Sequence, residues 1–488
     1  MNSKTSHPEW ALKHRRPGTE LRKIRGRYYL YEYKTVYDKQ KKRPKKISGK
    51  ILGSITEQDG FKPSAKRLLE KGITAKEVKA VHCKEYGMAW LVMTQFREYY
   101  DSLCKVFGQP DASLLMAIAY CRFVYKCPLK RIPFRLAASF LPELLSLGPF
   151  NEKKASGVLN RIGRMRGKMQ AYMKSFIREG DYILMDVTNI FCRSEQISLA
   201  RKGYNNALEF DNQFNLLYIY SADSRMPVYF RLLPGNIREV KAFKNSLLEA
   251  GLQKAIIVAD KGFYSQANVE LLQEEQLDFI LPLKRNNKLV SYRDIAGNNF
   301  KDEGNYFEYH GRIIWYKCYK TAEGLNLCLF LDEQLKVKEE KDYLRRITTH
   351  PEAYNLEQFH EKKNGQGTIA LLTPMNSGAE DVYLTYKGRM AIEVMFDGMK
   401  NVLEADHTYM QNEQTLHGWM FVNHITLQWY QHLYIQLKEK NLLKKISVSD
   451  YVELLTDIKK VNINNTWYIN EYTNQTRKMM EKLGLTLI

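Results

Sequence analysis

Nowhere in the 488 residues do eighteen apolar residues follow one another. The best run, Leu114 to Tyr120, is far too short to cross a bilayer, which takes about 20 residues. The N-terminus is polar and lacks an apolar leader segment, so no secretory signal is expected. Cysteine is scarce: seven residues, an odd number, with no C-x-x-C pair. This argues against a disulfide framework and against a zinc ribbon, and it fits a reducing cytoplasm. There is no P-loop, no Ser or Cys triad motif, no internal repeat and no long low-complexity run. The ten His are scattered; His417 and His424 share a helix face but read as core or surface residues rather than ligands. The length alone calls for two to four domains.

Acidic residues are also in deficit. Asp and Glu number 54 against 75 Lys and Arg, a net charge of +21 with a pI near 9.4. Such a balance suggests a polyanionic partner, nucleic acid or an anionic membrane surface. The first 50 residues alone hold 16 Lys or Arg against four Asp or Glu, with Tyr interleaved.

Taken in order, residues 1–26 read as a basic, flexible arm. From Arg27 to Tyr37, Tyr29, Tyr31 and Tyr33 alternate with Leu30, Glu32 and Lys34, a strand pattern. A basic tip, Lys39 to Lys46, leads to a return strand, Ile47 to Ile55, so a β-hairpin with a cationic loop is expected. Helical patterns run from about Ala75 to Glu179, including a buried helix at Leu114 to Val124. A basic amphipathic helix is expected at Asn160 to Ile177, usually a solvated face but also a candidate DNA-backbone surface. At Asp181 the period becomes that of strands. Tyr182 to Thr188, Phe214 to Ser221 and Val228 to Leu233 precede a helix from Glu239 to Leu252. A strand at Ala255 to Ala259, a helix capped by Ser265 and ending near Glu275, and a strand at Phe279 to Leu283 follow. That order predicts an α/β sheet covered by helices. From about Asn286 to Pro374 the pattern is that of an insertion with its own β-rich segment. The α/β pattern resumes at Ile369 to Leu372, and Leu416 to Leu437 reads as a long helix rich in Trp, Tyr and His.

Two acids stand out within this frame. Asp186 and Asp260 each close an almost unbroken apolar run of the kind that is buried on both faces. Ligands of open α/β sheets gather at the carboxyl ends of strands. A carboxylate in such a place must be paired, hydrogen-bonded or metal-bound, although either Asp would serve equally as a turn cap. A third acid, Glu393, lies in the stretch Tyr386 to Lys400. On an α-helix Tyr386, Arg389, Glu393 and Lys400 share one face, beside an apolar stripe of Ile392, Met395, Phe396 and Met399. Read blandly, this is an amphipathic helix with an Arg389–Glu393 pair. Read with the two Asp, it gives three acids able to hold two divalent ions, the arrangement that serves phosphoryl transfer. Oxygen-only ligands select Mg2+, with Mn2+ able to substitute.

Tyr386, Arg389, Glu393 and Lys400 match in full the Y-x2-R-x3-E-x6-K signature, and the chain therefore resembles the YREK group of DDE transposases of bacterial insertion sequences. Asp186 in Asp-Val-Thr and Asp260 in Asp-Lys-Gly-Phe are similar to the contexts of that family's first two acids, and the resemblance spans about residues 180 to 425. Lys387 and Met390 depart from related sequences without touching the chemistry. The resemblance implies an RNase H-like catalytic core interrupted by a β-rich insertion. It implies Asp186, Asp260 and Glu393 as catalytic metal ligands for two Mg2+ ions, and Tyr386, Arg389 and Lys400 on DNA phosphates. Asp397, Thr188 and Lys261 are at most supporting groups. The implied partners are double-stranded DNA, both terminal inverted repeats and target, and a second copy in the DNA complex; the implied setting is a bacterial cytoplasm, at the nucleoid.

The expected organisation is a basic DNA-binding region at 1–110, a helical region at 111–180, the core in two parts at 181–285 and 375–440, the insertion at 286–374, and a C-terminal region at 441–488. Two rivals remain open: a domesticated, non-catalytic DNA-binding relative, and an RNase H-fold nuclease without strand transfer.

Overall fold

The computed structural model describes residues 7–38, 43–64, 81–178, 183–202, 211–235, 245–246, 248–250, 256–259, 261, 263–296, 299–301, 305–463 and 465–486. Asp260, Tyr182, most of the expected helix from Glu239 to Leu252 and the hairpin tip at 39–42 lie outside them. The chain divides into two compact units, residues 1–83 with 460–469, and residues 84–459 with 470–488.

The smaller unit is built on a four-stranded antiparallel sheet: β1 (Thr19–Ile24), β2 (Arg27–Asp38), β3 (Arg43–Thr56) and β4 (Gly60–Pro63), in that order. Residues 7–26 do not form the flexible arm that their charge suggested. Glu9–Leu12 is a short helix and Thr19–Ile24 is the edge strand, because Ala11 and Leu21 close a core with Tyr28, Leu30, Leu52 and Ile55. The burial of these few apolar groups, at about 25 cal/mol per Å2, outweighs the solvation of the flanking cations. β5 (Val81–Glu85) joins a separate three-stranded sheet with two late strands, Lys459–Ile463 and Thr466–Ile469.

The larger unit is mixed α/β. β6 (Ile183–Cys192), β7 (Gln213–Ser221) and β8 (Met226–Pro234) form an antiparallel run. A two-residue strand, His407–Thr408, pairs parallel with the far end of β6. β7 is buried at every position, whereas β6 is half-open from Asp186 to Asn189. β9 (Ile256–Val258) lies against β6 and pairs parallel with β10 (Asp278–Leu283). Ser265 caps the helix Gln266–Glu274 through Asn268 N, at 3.1 Å.

The stretch read as an insertion with its own β-rich segment is continuous with β9 and β10. β11 (Tyr306–Tyr309), β12 (Arg312–Lys320), β13 (Asn326–Asp332) and β14 (Thr368–Thr373) extend β9 and β10 into six strands, ordered β11-β12-β13-β14-β10-β9. β14 makes the connection by pairing antiparallel with both β13 and β10. Cys318 and Cys328, directly opposite on β12 and β13, are disulfide-bonded. The cysteine pattern had given no sign of this, since strand register and not motif spacing brings them together. The other five cysteines are free.

The 27-residue helix Glu413–Glu439, capped by Asn412, is buried along most of its length. Helix Glu152–Arg164 crosses it at backbone contact, where a Cβ on Gly163 would lie 1.7 Å from Gln414 O and one on Gly418 2.1 Å from Leu159 O. The single helix expected at Asn160 to Ile177 is two, Glu152–Arg164 and Arg166–Lys174, because Met165 leaves the helical region at ψ 49°. Helix Gln109–Tyr125 supplies Arg122, and among the described residues no single helix is long and apolar enough to cross a membrane. Glu85, at the end of β5, is buried, accepting from Met88 N at 2.6 Å and lying with Tyr120 and Ser139.

Candidate active site

Asp186 does not close its strand. It is the fourth residue of β6, which continues to Cys192. The apolar run through Ile183, Leu184 and Met185 fixes the strand in the core, and the half-open window beginning at Asp186 exposes one carboxylate to the face above. Its Oδ1 accepts from Val187 N at 2.8 Å.

The second acid-bearing element is also interrupted. Ala379–Gly388 and Met390–Asp397 are separate α-segments, and Gly398–Val402 is a π-helical turn. At Arg389 the backbone tightens: Arg389 N bonds Tyr386 O at 3.1 Å and Ile392 N bonds Arg389 O at 2.9 Å, both i to i+3. At the far end Leu403 N reaches back five residues to Gly398 O. Gly398 sits so close to the Tyr430 ring that a Cβ there would lie 2.3 Å from it, which leaves no room for an ordinary side chain. Single π turns inside helices recur at functional sites.

Arg389 is the hub. Its Nη1 donates to Glu393 Oε1 at 2.6 Å and its Nη2 to Asp186 Oδ2 at 3.3 Å. The Arg389 and Asp186 side chains retain 16% and 18% of their exposure and Glu393 retains 52%, so the bridge is shielded at one end and open to solvent at the other. Two acids 207 positions apart in sequence thus converge on one cationic group. Without a cation between them the two carboxylates would repel one another. The oxygens are hard donors of the type that divalent ions take, and in this structure Arg389 engages both carboxylates. Among the described residues there is no group of three His, Cys, Asp or Glu placed to hold a metal, and Asp260 is not among them. Its neighbours on either side are Ala259, buried after β9, and Lys261, exposed.

The structure brings Asp186, Arg389 and Glu393 together. Lys400 rides the π turn, where burial lowers its pKa and the Asp406 charge opposes the shift. Tyr386 is half-buried on the preceding α-segment. Asp397 is engaged by Asn401 Nδ2 at 2.6 Å, a local contact within its own helix. Thr188 follows Asp186 on the same side of β6.

Lys387 and Lys261 belong to a set of cations that interact with one another and with Arg312 and Arg285. Lys387 is lowered in pKa first by burial, then by Arg312 and Lys261, with Asp332 opposing. Lys261 is lowered first by burial and then by Arg285, with Glu339 opposing. Lysines held near other cations gain most from an anionic ligand, and phosphate is the natural one. Lys387 was visible inside the signature. Arg285 closes the stretch read as the first part of the core and Arg312 lies in the stretch read as the insertion, and neither was singled out. Arg122 carried no local signal at all: it is buried, donates to the carbonyls of Leu403 and Glu404 (2.8 Å to the latter) and to Asn423 Oδ1 at 3.1 Å, and so ties down the end of the π turn.

The family described as "Transposase DDE domain" matches residues 178–429, just over half of the chain. The chain belongs to the DDE transposase family. The matched DDE domain begins just before β6 and runs to Trp429, and so takes in Asp186, Arg389 and Glu393. Among solved structures, the chain is similar to the piggyBac transposase synaptic complex with hairpin DNA. The identity is 11% and the TM-score 0.38, over 71% of this chain and 70% of that one. No curated protein matches.

Proposed function

We infer that this transposase is the cut-and-paste enzyme of a bacterial insertion sequence and a member of the YREK group. In this reading it hydrolyses a strand at the element's end and joins the freed 3′-hydroxyl to target DNA. The observation that carries the reading is the Arg389 guanidinium held between the Asp186 and Glu393 carboxylates. The antiparallel β6, β7 and β8, with β9 against β6 and β10 parallel beyond it, support an RNase H-like core.

Each group then has a task. Asp186, Glu393 and Asp260 are the oxygen donors for two Mg2+ ions, or Mn2+ in their place. Such ions supply Lewis-acid activation of the attacking water and stabilisation of the leaving oxygen. Arg389 balances the two carboxylates and offers a planar fork that a phosphate can also take. Lys400 and Tyr386 contact phosphates of the element's end, and Lys387 and Lys261 add positive charge beside them. Residues 1–110 recognise terminal inverted repeats, 286–374 contribute to end binding, and a homodimer pairs two ends.

The test is a strand-transfer assay with the DNA that flanks the gene, Mg2+, and wild type beside Asp186→Asn. Cleaved and joined product from wild type alone supports the reading. Cleavage without joining would favour a nuclease, and binding with neither step a non-catalytic DNA-binding protein.

A further inference from the structure

We propose that the outer part of the β2–β3 hairpin is a major-groove reader, entering duplex DNA with its Lys34, Val36, Lys45 and Ile47 face against the base edges. This rests on the reading that the N-terminal region recognises element ends, and it assigns that recognition to one face of one ribbon.

The ribbon is separated from the sheet that carries it. β1 pairs with β2 only as far as Glu32, and β4 pairs with β3 only over Gly53–Thr56. Among the described residues, the six pairs from Tyr33↔Ser48 to Asp38↔Arg43 have no third strand. Two register irregularities, at Leu30/Tyr31 and Tyr31/Tyr33, mark the point of departure, and such bulges bend a strand away from its sheet. Beyond them residues 34–37 and 43–50 are all exposed. A two-stranded ribbon wet on both faces is marginal in isolation. This one nevertheless leaves Val36 49%, Ile47 49% and Tyr37 61% exposed.

Cross-strand register sorts its side chains by face. Tyr33, Thr35, Tyr37, Lys46 and Ser48 share one face, where Lys46 Nζ lies 4.0 Å above the Tyr33 ring. Lys34, Val36, Lys45 and Ile47 share the other, with the Asp38↔Arg43 pair at its outer end. The two segments carry four cations and a single acid, Asp38. That charge selects a polyanion and argues against a second copy of the same ribbon, which would set cation against cation. The dimensions suit DNA: six residue pairs span roughly 20 Å, and a major groove about 12 Å wide admits a two-stranded ribbon. In that seat the two aliphatics meet thymine methyls while the cations reach the phosphate walls. At the ribbon's base is a cleft of about 760 Å3 lined by His14, Arg16, Lys34 and Lys50, among others, well placed for the adjoining backbone.

Full-length protein is titrated, at several salt concentrations, against duplexes from the gene's flanks and against random duplexes of equal length. Replacing Lys34, Arg43 and Lys45 with Gln together should reduce the slope of log K against log salt by roughly three, one for each phosphate that is no longer neutralised. Val36→Thr with Ile47→Thr should leave binding to random duplex unchanged and lower the preference for flank duplex by roughly tenfold or more. Dimethyl sulfate footprinting of the wild type, which needs no variant to fold, should show guanine N7 protected within the bound flank. Binding by wild type with an unchanged salt slope in the triple variant, or without N7 protection, overturns the groove assignment and leaves end recognition standing. No binding to any duplex overturns both.

Discussion

Two antiparallel strand pairs, β6–β7 and the outer β2–β3 ribbon, have the same hydrogen-bonding pattern and opposite surroundings. β7 is buried at all nine positions and β6 opens only at Asp186 to Asn189. The ribbon is exposed on both faces. A strand pair enclosed on both sides cannot shift without breaking close packing, and that rigidity fixes one carboxylate opposite a helix 203 residues later. Beyond Tyr33 and Ser48, which β1 and the residue before it engage, the described part of the ribbon is held mainly by its own pairing, so its outer side chains can answer to a partner. In the proposed function, chemistry sits on the enclosed pair and recognition on the open one.

The largest expected effect separates these roles directly. Glu393→Gln removes one charged ligand from the enclosed site, so cleavage should fall by roughly a thousandfold or more while binding to end DNA is kept. Normal cleavage by that variant, in a gel assay of end-labelled duplex, would remove Glu393 from the site and dissolve the contrast.

A smaller effect tests packing. Leu216→Ala on β7 should cost about 2–5 kcal/mol, because the cavity lies where nothing can collapse to fill it. Val36→Ala in the ribbon should cost less than about 1 kcal/mol. Urea midpoints of the two variants should differ accordingly; equal losses would mean that the ribbon is covered in solution.

The smallest effect concerns charge in the enclosed unit. Burial pushes Glu85 up from 4.5 to about 7, with Tyr120, Ser139 and the backbone at Met88 and Ala89 pulling the other way. The folded chain therefore holds this proton where the unfolded chain has released it. The stabilisation is full below the ordinary carboxylate range and is lost as pH rises through about 7. Relative to Glu85→Gln, the wild type should lose on the order of 2 kcal/mol across that window. Urea midpoints of both proteins above and below it decide the matter, and a constant difference would show that Glu85 is already ionised.

Much of the enclosed unit was legible because its chemistry is local. The apolar runs gave β7, β8, β9 and β10 within a residue or two, and Ser265 marked a helix start by its own hydroxyl. Asp186, Arg389 and Glu393 were singled out by residue type and spacing. What escaped depends on distant partners. The strand through Asp186 runs on past Thr188 and Asn189 because its window tolerates polar residues. The 286–374 strands join the main sheet through β14, a pairing that no periodicity announces. Arg122 looks like any other helix residue until Leu403 and Glu404 are brought to it. Asp260, the second acid of the motif, lies outside the described residues.

The π turn at Gly398–Val402 changes what the signature's last interval means. Seven positions separate Glu393 from Lys400, and on a regular helix, at about 100° per residue, that interval returns to the same bearing. In the wider turn each residue advances less, so Lys400 comes round short of that bearing, and it interacts with the Asp406 charge. A count of residues is therefore a reliable label for recognising this helix and a poor compass for aiming its side chains. Trimming one residue from the turn would keep every named group and still re-aim the last of them.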